Sequence, residues 1–433
     1  MHQSATLARE WGTCGPTHRS RWTNAPETLA LHCAGVQPVA LMGRIVFLSD
    51  RLFGRADRFF PPAIRETLAG VQEHVRRDWP YGLGALIAAK RAFTLRYDFA
   101  SPLAYVNAVK RADLVVGTGA GVFTDAFVDN AMGVLATLEF ALKRNVPTAL
   151  MGHGLGPVSD VALKRRMARV LPRLALMTLR EQRESIPLIG SLGVAPDRVA
   201  VTGDDAIELA NRHTHPQLGD AIGVNVRVAG YAGVTASATD VIRPAVHRAA
   251  SLLAAPLLPV PIAHHPSGHD GVAIQKVLAG YDNAPAAFVE LNTPTKVIGQ
   301  VSRCRIVVTG SYHAAVFALA QGIPAVALSA TRYYLNKFQG LAELFPGGCE
   351  VVALHDSDAP IALESAIGRA WASAPRLREP LLRAARWQID AARAAYQRLA
   401  SLVSAARPAA LEGAARDAEG ARPDAYGRRA TRA

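Results

Sequence analysis

Cysteine is scarce in this sequence, and the four residues that are present lie far apart. They form no CxxC pair and no spacing typical of metal ligands: Cys14, Cys33, Cys304 and Cys349. This distribution argues against a disulfide scaffold and favours a reducing compartment. The N-terminal stretch also lacks the apolar core of a secretory signal. We therefore expect a cytoplasmic protein.

Long apolar runs and basic stripes are lacking too. The most apolar segment, residues 313–330, is interrupted by Gln321, Gly322 and Pro324, so it falls short of the roughly 18 residues that a membrane helix needs. The formal charge of +13 favours anionic partners. The Lys and Arg residues are scattered, however, with no stripe interleaved with aromatic residues. We expect neither a transmembrane segment nor nucleic-acid binding.

Short apolar runs that alternate with helical patterns are abundant instead. Such alternation predicts parallel strands covered by helices on both faces, and 433 residues suffice for two domains. Strands of the first half are predicted near residues 43–49, 113–117, 147–151, 174–178 and 198–202. Strands of the second half are predicted near residues 221–226, 258–262, 288–291, 305–309 and 324–328.

A polar patch at residues 211–216 separates the two series, so we place a domain boundary near residue 215. The fold class predicted is α/β, with two Rossmann-like domains facing a central cleft. The full division is an irregular N-terminal segment 1–40, domains 41–215 and 216–375, a C-terminal helix 376–406 and a disordered tail 407–433. The tail is predicted from its composition of Ala, Arg, Gly and Asp without apolar periodicity.

Ligands of open parallel sheets bind beyond the carboxyl ends of the strands, so the residues that follow each predicted strand are candidates. In the first half these are Gly119, Ala120, Gly121, Asp125 and His153. His153 stands between two glycines at a strand end, a position poorly suited to core packing, which favours the cleft. For Arg180 we favour an ion pair with Asp204 or Asp205, and these two aspartates are equally candidates for helix caps.

In the second half, the segment after residue 309 is the most distinctive. A buried strand ends at Gly310, Ser311 can cap the next helix, and His313 lies in its first turn. A helix N-terminus offers unpaired N–H groups and a positive dipole end, which together suit an anion. Arg332 and Lys337 lie beyond the next strand and can supply cations to the same anion.

Two further segments of the second half carry polar residues after strands. Asn225 and Arg227 end the first strand and are expected to face the cleft. The segment 264–270 contains three histidines and Asp270. Adjacent histidines on an extended chain point to opposite faces, and no carboxylate cluster completes a ligand set. We therefore expect no metal site.

The order and spacing of these motifs resemble the polysaccharide pyruvyl transferase family. The resemblance covers roughly residues 105–345, and it rests on stretches 112–121, 152–157, 178–181 with 193–194, 201–204 and 310–324. It implies a fold like that of the GT-B glycosyltransferases. It also implies that a pyruvyl group passes from phosphoenolpyruvate, the co-substrate, to a saccharide to form a ketal in surface or exopolysaccharide biosynthesis, with no other cofactor and an acceptor that is free or lipid-linked.

By position, His313 resembles the family's cleft histidine and is assigned as the acid/base, and Lys337 resembles its phosphate-side lysine. Ser311 stands where the family often has an arginine, so Arg227, Arg332 or Lys337 would supply the cation. The donor-side residues are then Ser311, Lys337, Arg227, Arg332 and Asn225. The acceptor-side residues are Gly119, Ala120, Gly121, Asp125 and His153.

Two other functions stay open. The same architecture suits a glycosyltransferase with a nucleotide-sugar donor, in which Glu343 or Glu350 would bind the ribose. It also suits a non-catalytic saccharide-binding relative.

Overall fold

The computed structural model describes residues 107–119, 121–228, 238–265, 268–284 and 291–420, together with Ile64, Val71 and Val234. The strand predicted at residues 43–49 and residues 421–433 of the predicted tail lie outside this part of the chain. So do Ala120 and, apart from Leu291, the strand predicted at 288–291.

The first half forms a parallel sheet of four strands in the order β1-β2-β3-β4. Its strands are β1 (Val115–Thr118), β2 (Thr148–His153), β3 (Leu176–Leu179) and β4 (Val199–Val201). Its helices are α1 (Val128–Leu142), α2 (Val161–Val170), α3 (Ser185–Ser191) and α4 (Ala206–Asn211). Every residue of β2 is buried, as expected for the apolar run of a strand that is covered on both faces.

The second half forms a parallel sheet of five strands in the order β11-β10-β9-β5-β6. Its strands are β5 (Ala221–Asn225), β6 (Leu257–Pro259), β9 (Cys304–Thr309), β10 (Ala325–Ser329) and β11 (Cys349–Ala353). A short antiparallel pair, β7 (His264–His265) and β8 (Gly268–His269), stands apart from this sheet. Its helices are α5 (Ala238–Leu252), α6 (Asp270–Leu278), α7 (Pro294–Val301), α8 (Tyr312–Ala320) and α9 (Arg332–Leu344). The predicted α/β class with two parallel, Rossmann-like sheets is confirmed.

The strand order of the second sheet places a crevice between β5 and β9. From β5 the chain adds β6 on one side and then crosses to β9, β10 and β11 on the other side. Connections that leave neighbouring strands in opposite directions open a gap beyond their carboxyl ends, which is the usual ligand position in such sheets. Arg227 follows β5 at this gap, and Ser311 and His313 follow β9.

A long helix, α10 (Ala359–Gly420), joins the two halves. Leu363 near its start belongs to the core of the second half, whereas Leu399 packs with Met151 and Leu176 of the first sheet. The helix begins well before the predicted residue 376 and includes residues 407–420, for which disorder was predicted. No helix of the described residues is long and apolar enough to cross a membrane.

Candidate active site

His313 is the centre of a charged cluster at the junction of the two halves. It lies in the first turn of α8, and its side chain is only 11% exposed. Burial lowers the pKa of His313 well below its ordinary value, and the nearby charges of Arg180, Lys337 and Arg227 lower it further. The ring is therefore a neutral imidazole at pH 7.

The first half contributes a buried ion pair to this cluster. Arg180 follows β3 and Asp204 follows β4, and each side chain is 2% exposed. Arg180 Nε lies 2.9 Å from Asp204 Oδ2, and its N–H donates to the Gly152 carbonyl at 2.7 Å. The predicted ion pair of Arg180 is confirmed. Asp204 Oδ2 also lies 3.7 Å from His313 Nε2, so the pair reaches the histidine of the other half.

Lys337 lies on α9 with its ammonium group among aromatic rings. Its Nζ is 4.7 Å from the centre of the Tyr312 ring, 5.3 Å from that of Tyr333 and 5.9 Å from that of Tyr334. The Nζ donates to the Tyr333 hydroxyl at 3.3 Å, and that hydroxyl donates to the Gly121 carbonyl at 3.4 Å. Aromatic faces attract a cation without neutralising it. Lys337 thus faces the turn of the first half, 3.3 Å from the position of a Cβ atom added to Gly121.

Arg227 is anchored by a buried carboxylate. Arg227 Nη1 lies 3.0 Å from Asp270 Oδ1, and its side chain stays 16% exposed. The other oxygen, Asp270 Oδ2, accepts from the backbone N–H groups of Ile262 at 3.0 Å and Ala263 at 2.9 Å. Asp270 thereby fixes the direction of the guanidinium, whose positive charge acts on His313.

The glycine-rich turn of the first half lies against these charged groups. A Cβ atom added to Gly119 would lie 3.2 Å from Arg180 Nη2 and 3.4 Å from Asp205 Oδ2. A Cβ atom added to Gly121 would lie 3.3 Å from Lys337 Nζ. The absence of side chains here lets the backbone approach the cations closely. That these glycines contact an acceptor stays a prediction.

Two donor-side candidates lie in surroundings other than expected. Asn225 is completely buried, and its amide donates to the Val260 carbonyl at 2.9 Å and to Asp270 at 3.0 Å. Its side chain is therefore engaged within the second half, and its contact with a donor stays a prediction. Ser311 occupies the N-cap position of α8 but makes no side-chain capping bond. Instead Thr309 Oγ1 accepts the Ser311 N–H at 2.8 Å.

Arg332 and two acceptor-side candidates lie in other surroundings than expected. Arg332 is exposed at the first residue of α9. Asp125 accepts backbone N–H groups of Ser159 and Asp160, each at 2.9 Å, and so holds the loop before α2. His153 is 1% exposed, with Nε2 3.1 Å from the Gly117 carbonyl and its ring against Phe123. The prediction that His153 is poorly placed for packing is wrong.

Sequence reasoning missed Asp204 as a neighbour of His313 and Asp270 as the partner of Arg227, and it did not single out Tyr312 or Tyr333. Asp204 did carry a signal, because it follows a strand end as the candidate residues do. Asp270 was considered only as part of a histidine-rich segment. It also begins a helix, and an acidic residue at such a position near a strand end can form an ion pair with an arginine.

A family model described as polysaccharide pyruvyl transferase matches residues 58–331. The chain belongs to the polysaccharide pyruvyl transferase family. The matched part includes Arg180, Asp204, Arg227 and His313, whereas Lys337 lies just beyond it. No curated protein matches the chain in sequence.

Several solved structures resemble this family member in overall layout. S. aureus MnaA in a co-structure with UDP has a TM-score of 0.44 and 14% identity, over 65% of this chain and 77% of that one. A glycosyltransferase from Rickettsia africae has a TM-score of 0.44 and 11% identity, over 71% and 83%. UDP-GlcNAc 2-epimerase from Neisseria meningitidis bound to UDP-GlcNAc has a TM-score of 0.42 and 14% identity, over 70% and 78%. Similarity at this level says nothing about the ligand or reaction of this chain.

The lowered pKa of His313 predicts that acid destabilises the protein. Between the ordinary pKa of about 6.5 and the lower folded value, the unfolded chain binds a proton that the folded chain does not. The free energy of unfolding therefore falls as the pH drops through this window, by up to about 1.4 kcal/mol per pH unit from this group. Urea unfolding at pH 5 to 7 should show a flatter pH dependence for His313→Gln.

The matched control for this experiment is His355→Gln, since the His355 side chain is 69% exposed. That substitution should leave the pH dependence as it is in the parent protein. An equally steep dependence in His313→Gln would show that His313 is not the group whose protonation opposes folding.

Proposed function

We propose that this member of the polysaccharide pyruvyl transferase family transfers the pyruvyl group of phosphoenolpyruvate to two hydroxyls of a saccharide, forming a ketal and releasing phosphate. The observation that carries the proposal is the buried, neutral His313, on which the charges of the three cations Arg180, Lys337 and Arg227 act. Phosphoenolpyruvate presents a phosphate and a carboxylate close together, and a dense cationic cluster suits such a ligand.

The cations divide into two kinds. Arg180 is already engaged by Asp204 and by the Gly152 carbonyl, so we assign it to the electrostatic field of the site. We assign Lys337 and Arg227 as the anion clamps, because each is anchored by a neighbouring group and the charge of each acts on His313. The first N–H groups of α8 complete the phosphate cradle.

The reaction requires proton transfer to the donor and proton transfer from the acceptor. The methylene carbon of phosphoenolpyruvate gains a proton, and the first saccharide hydroxyl attacks the neighbouring carbon and loses its proton. The bond between that carbon and the phosphate oxygen then breaks, and the phosphate leaves with the electron pair. The second hydroxyl adds to the same carbon, its proton is lost to phosphate or solvent, and the ketal closes. A single histidine can serve such a sequence as acid and as base.

Donor binding lets His313 take up from the solvent the proton that it lacks in the free protein. The negative charges of the donor offset Lys337, Arg227 and Arg180, and this raises the pKa of the imidazole from its lowered value. His313 then takes up a proton as the donor binds, and it is placed to deliver that proton to the methylene carbon.

The nucleotide-sugar alternative relied on Glu343 or Glu350 to bind a ribose. Glu343 pairs with Arg183 at 2.6 Å, and Glu350 pairs with Arg369 at the surface. Neither carboxylate is among the charges that act on His313. No feature of the described site favours that alternative.

The decisive experiment is calorimetric titration of the protein with phosphoenolpyruvate, beside a panel of UDP-sugars, at pH 7. We expect saturable binding of phosphoenolpyruvate whose heat changes with the ionisation enthalpy of the buffer, because His313 takes up a proton. Added saccharides should then be screened for release of inorganic phosphate. Binding of a UDP-sugar in place of phosphoenolpyruvate would contradict the proposal and favour a glycosyltransferase. Saccharide binding without consumption of any donor would favour a non-catalytic relative.

A further inference from the structure

We infer that Asp204 is a positioning residue, which reaches from the first half of the protein to orient the imidazole of His313 in the second half. The inference rests on the proposed role of His313 as the acid/base. It assigns to the Arg180–Asp204 pair a task beyond structural support.

The Asp204 carboxylate is fixed independently of the histidine. Its Oδ2 lies 2.9 Å from Arg180 Nε, and its Oδ1 accepts the Ala206 N–H at 2.9 Å. Both contacts belong to the first half of the chain, and both the Arg180 and Asp204 side chains are almost completely buried. A buried carboxylate with this support keeps its direction.

The position of His313 follows from this fixed group. His313 Nε2 is the ring nitrogen that faces Asp204, at 3.7 Å from Oδ2. An ionised carboxylate only accepts hydrogen bonds, so it favours the neutral tautomer with the hydrogen on Nε2. The lone pair then lies on Nδ1, which becomes the atom that takes up and delivers the proton. Catalytic contacts of this length commonly shorten when the substrate binds.

The surroundings of the ring explain why a carboxylate is needed there. Arg180 after β3, Lys337 on α9 and Arg227 after β5 all oppose a positive charge on His313. Asp204 after β4 offsets that opposition at close range, so an imidazolium can exist during the reaction. Since Asp204 and His313 come from different halves, the acid/base is in place only when the two halves are docked together.

The test compares the parent protein with Asp204→Asn, using protein labelled with ¹⁵N at histidine. Ring ¹⁵N shifts at pH 7 without ligand should report the Nε2–H tautomer of His313 in the parent, and loss of that preference in Asp204→Asn. The His313 signal is assigned by its absence in His313→Ala. In the phosphoenolpyruvate assay, kcat should fall about 100-fold with KM changed only a few-fold. Adding Asp204→Asn to His313→Ala should cause no further loss, because the two act as one unit.

The matched control is Asp197→Asn, which removes an exposed carboxylate and should change neither readout. If Asp204→Asn does not fold, Asp204→Glu keeps the charge beside Arg180 and displaces it from His313, and it should show the same two effects. An unchanged tautomer together with unchanged kcat in the variant that folds would overturn the inference. A tautomer that depends on Asp204 in a parent protein without pyruvyl transfer would support the positioning role and refute the proposed function.

Discussion

Replacing His313 by alanine is expected to lower kcat for pyruvyl transfer by about 10²–10⁴-fold, the usual contribution of a general acid/base. The expected loss falls on kcat because the substitution removes the group that moves protons. The cations Lys337 and Arg227, to which we assign donor binding, stay in place. Steady-state release of phosphate in the presence of the acceptor measures kcat, and calorimetry measures the affinity for phosphoenolpyruvate.

The heat of donor binding, measured by calorimetry, offers a second readout of the same substitution. If His313 takes up a proton when the donor binds, the binding heat of the His313→Ala protein should lose most of its dependence on the buffer. His355→Ala, at an exposed position, should retain both kcat and the buffer dependence. An unchanged kcat in His313→Ala would remove the acid/base role, whatever the affinity for the donor.

The fold could be predicted because the strands and helices of each half follow from local patterns of apolar residues. Buried parallel strands are short apolar runs, and each predicted strand of the described region lies within a few residues of an observed strand. Strand β11 was missed because Cys349–Ala353 contains the charged Glu350 and is separated from α9 by only a short turn. The pair β7 and β8 consists of two residues each, too short for any periodicity to show.

Site residues could be predicted only where their position directly after a strand places them at the crevice. His313 and Arg227 follow the strands that border the crevice, so the rule on strand ends identified them. Asn225 also stands at the end of a strand that borders the crevice, yet its amide donates hydrogen bonds to Val260 and Asp270, which lie 35 and 45 residues further along the chain. The sequence around Asn225 does not indicate those partners.

The contact between Asp204 and His313 could not be predicted for a related reason. It joins the end of a strand in one sheet to the start of a helix beside the other sheet. Its existence depends on how the two halves dock, and that arrangement is set by long-range packing such as the contacts of α10 with both cores. Local patterns specify each half, whereas the docking of the halves specifies the chemistry.

Replacing Lys337 by methionine is expected to weaken phosphoenolpyruvate binding by about 10- to 100-fold. Methionine keeps an unbranched, flexible side chain that can pack against Tyr312, Tyr333 and Tyr334, and it removes the ammonium group with its charge. A hydrogen bond to a charged group contributes about 1.5–3 kcal/mol, which corresponds to this range of affinity. Calorimetric titration at two salt concentrations measures the effect, and the salt dependence should decrease with the lost cation.

The control for this charge change is Lys276→Met, because Lys276 is an exposed lysine of α6 and its loss alters the net charge equally. Equal weakening in both variants would mean that the overall positive charge, and not Lys337, attracts the donor. The His313 ring gives an independent check, since Lys337 is one of the three cations that lower its pKa. In Lys337→Met that pKa should rise towards its ordinary value, so the protein should lose less stability between pH 7 and 5. Weaker donor binding together with this gain in acid tolerance would place Lys337 and His313 in the same electrostatic site.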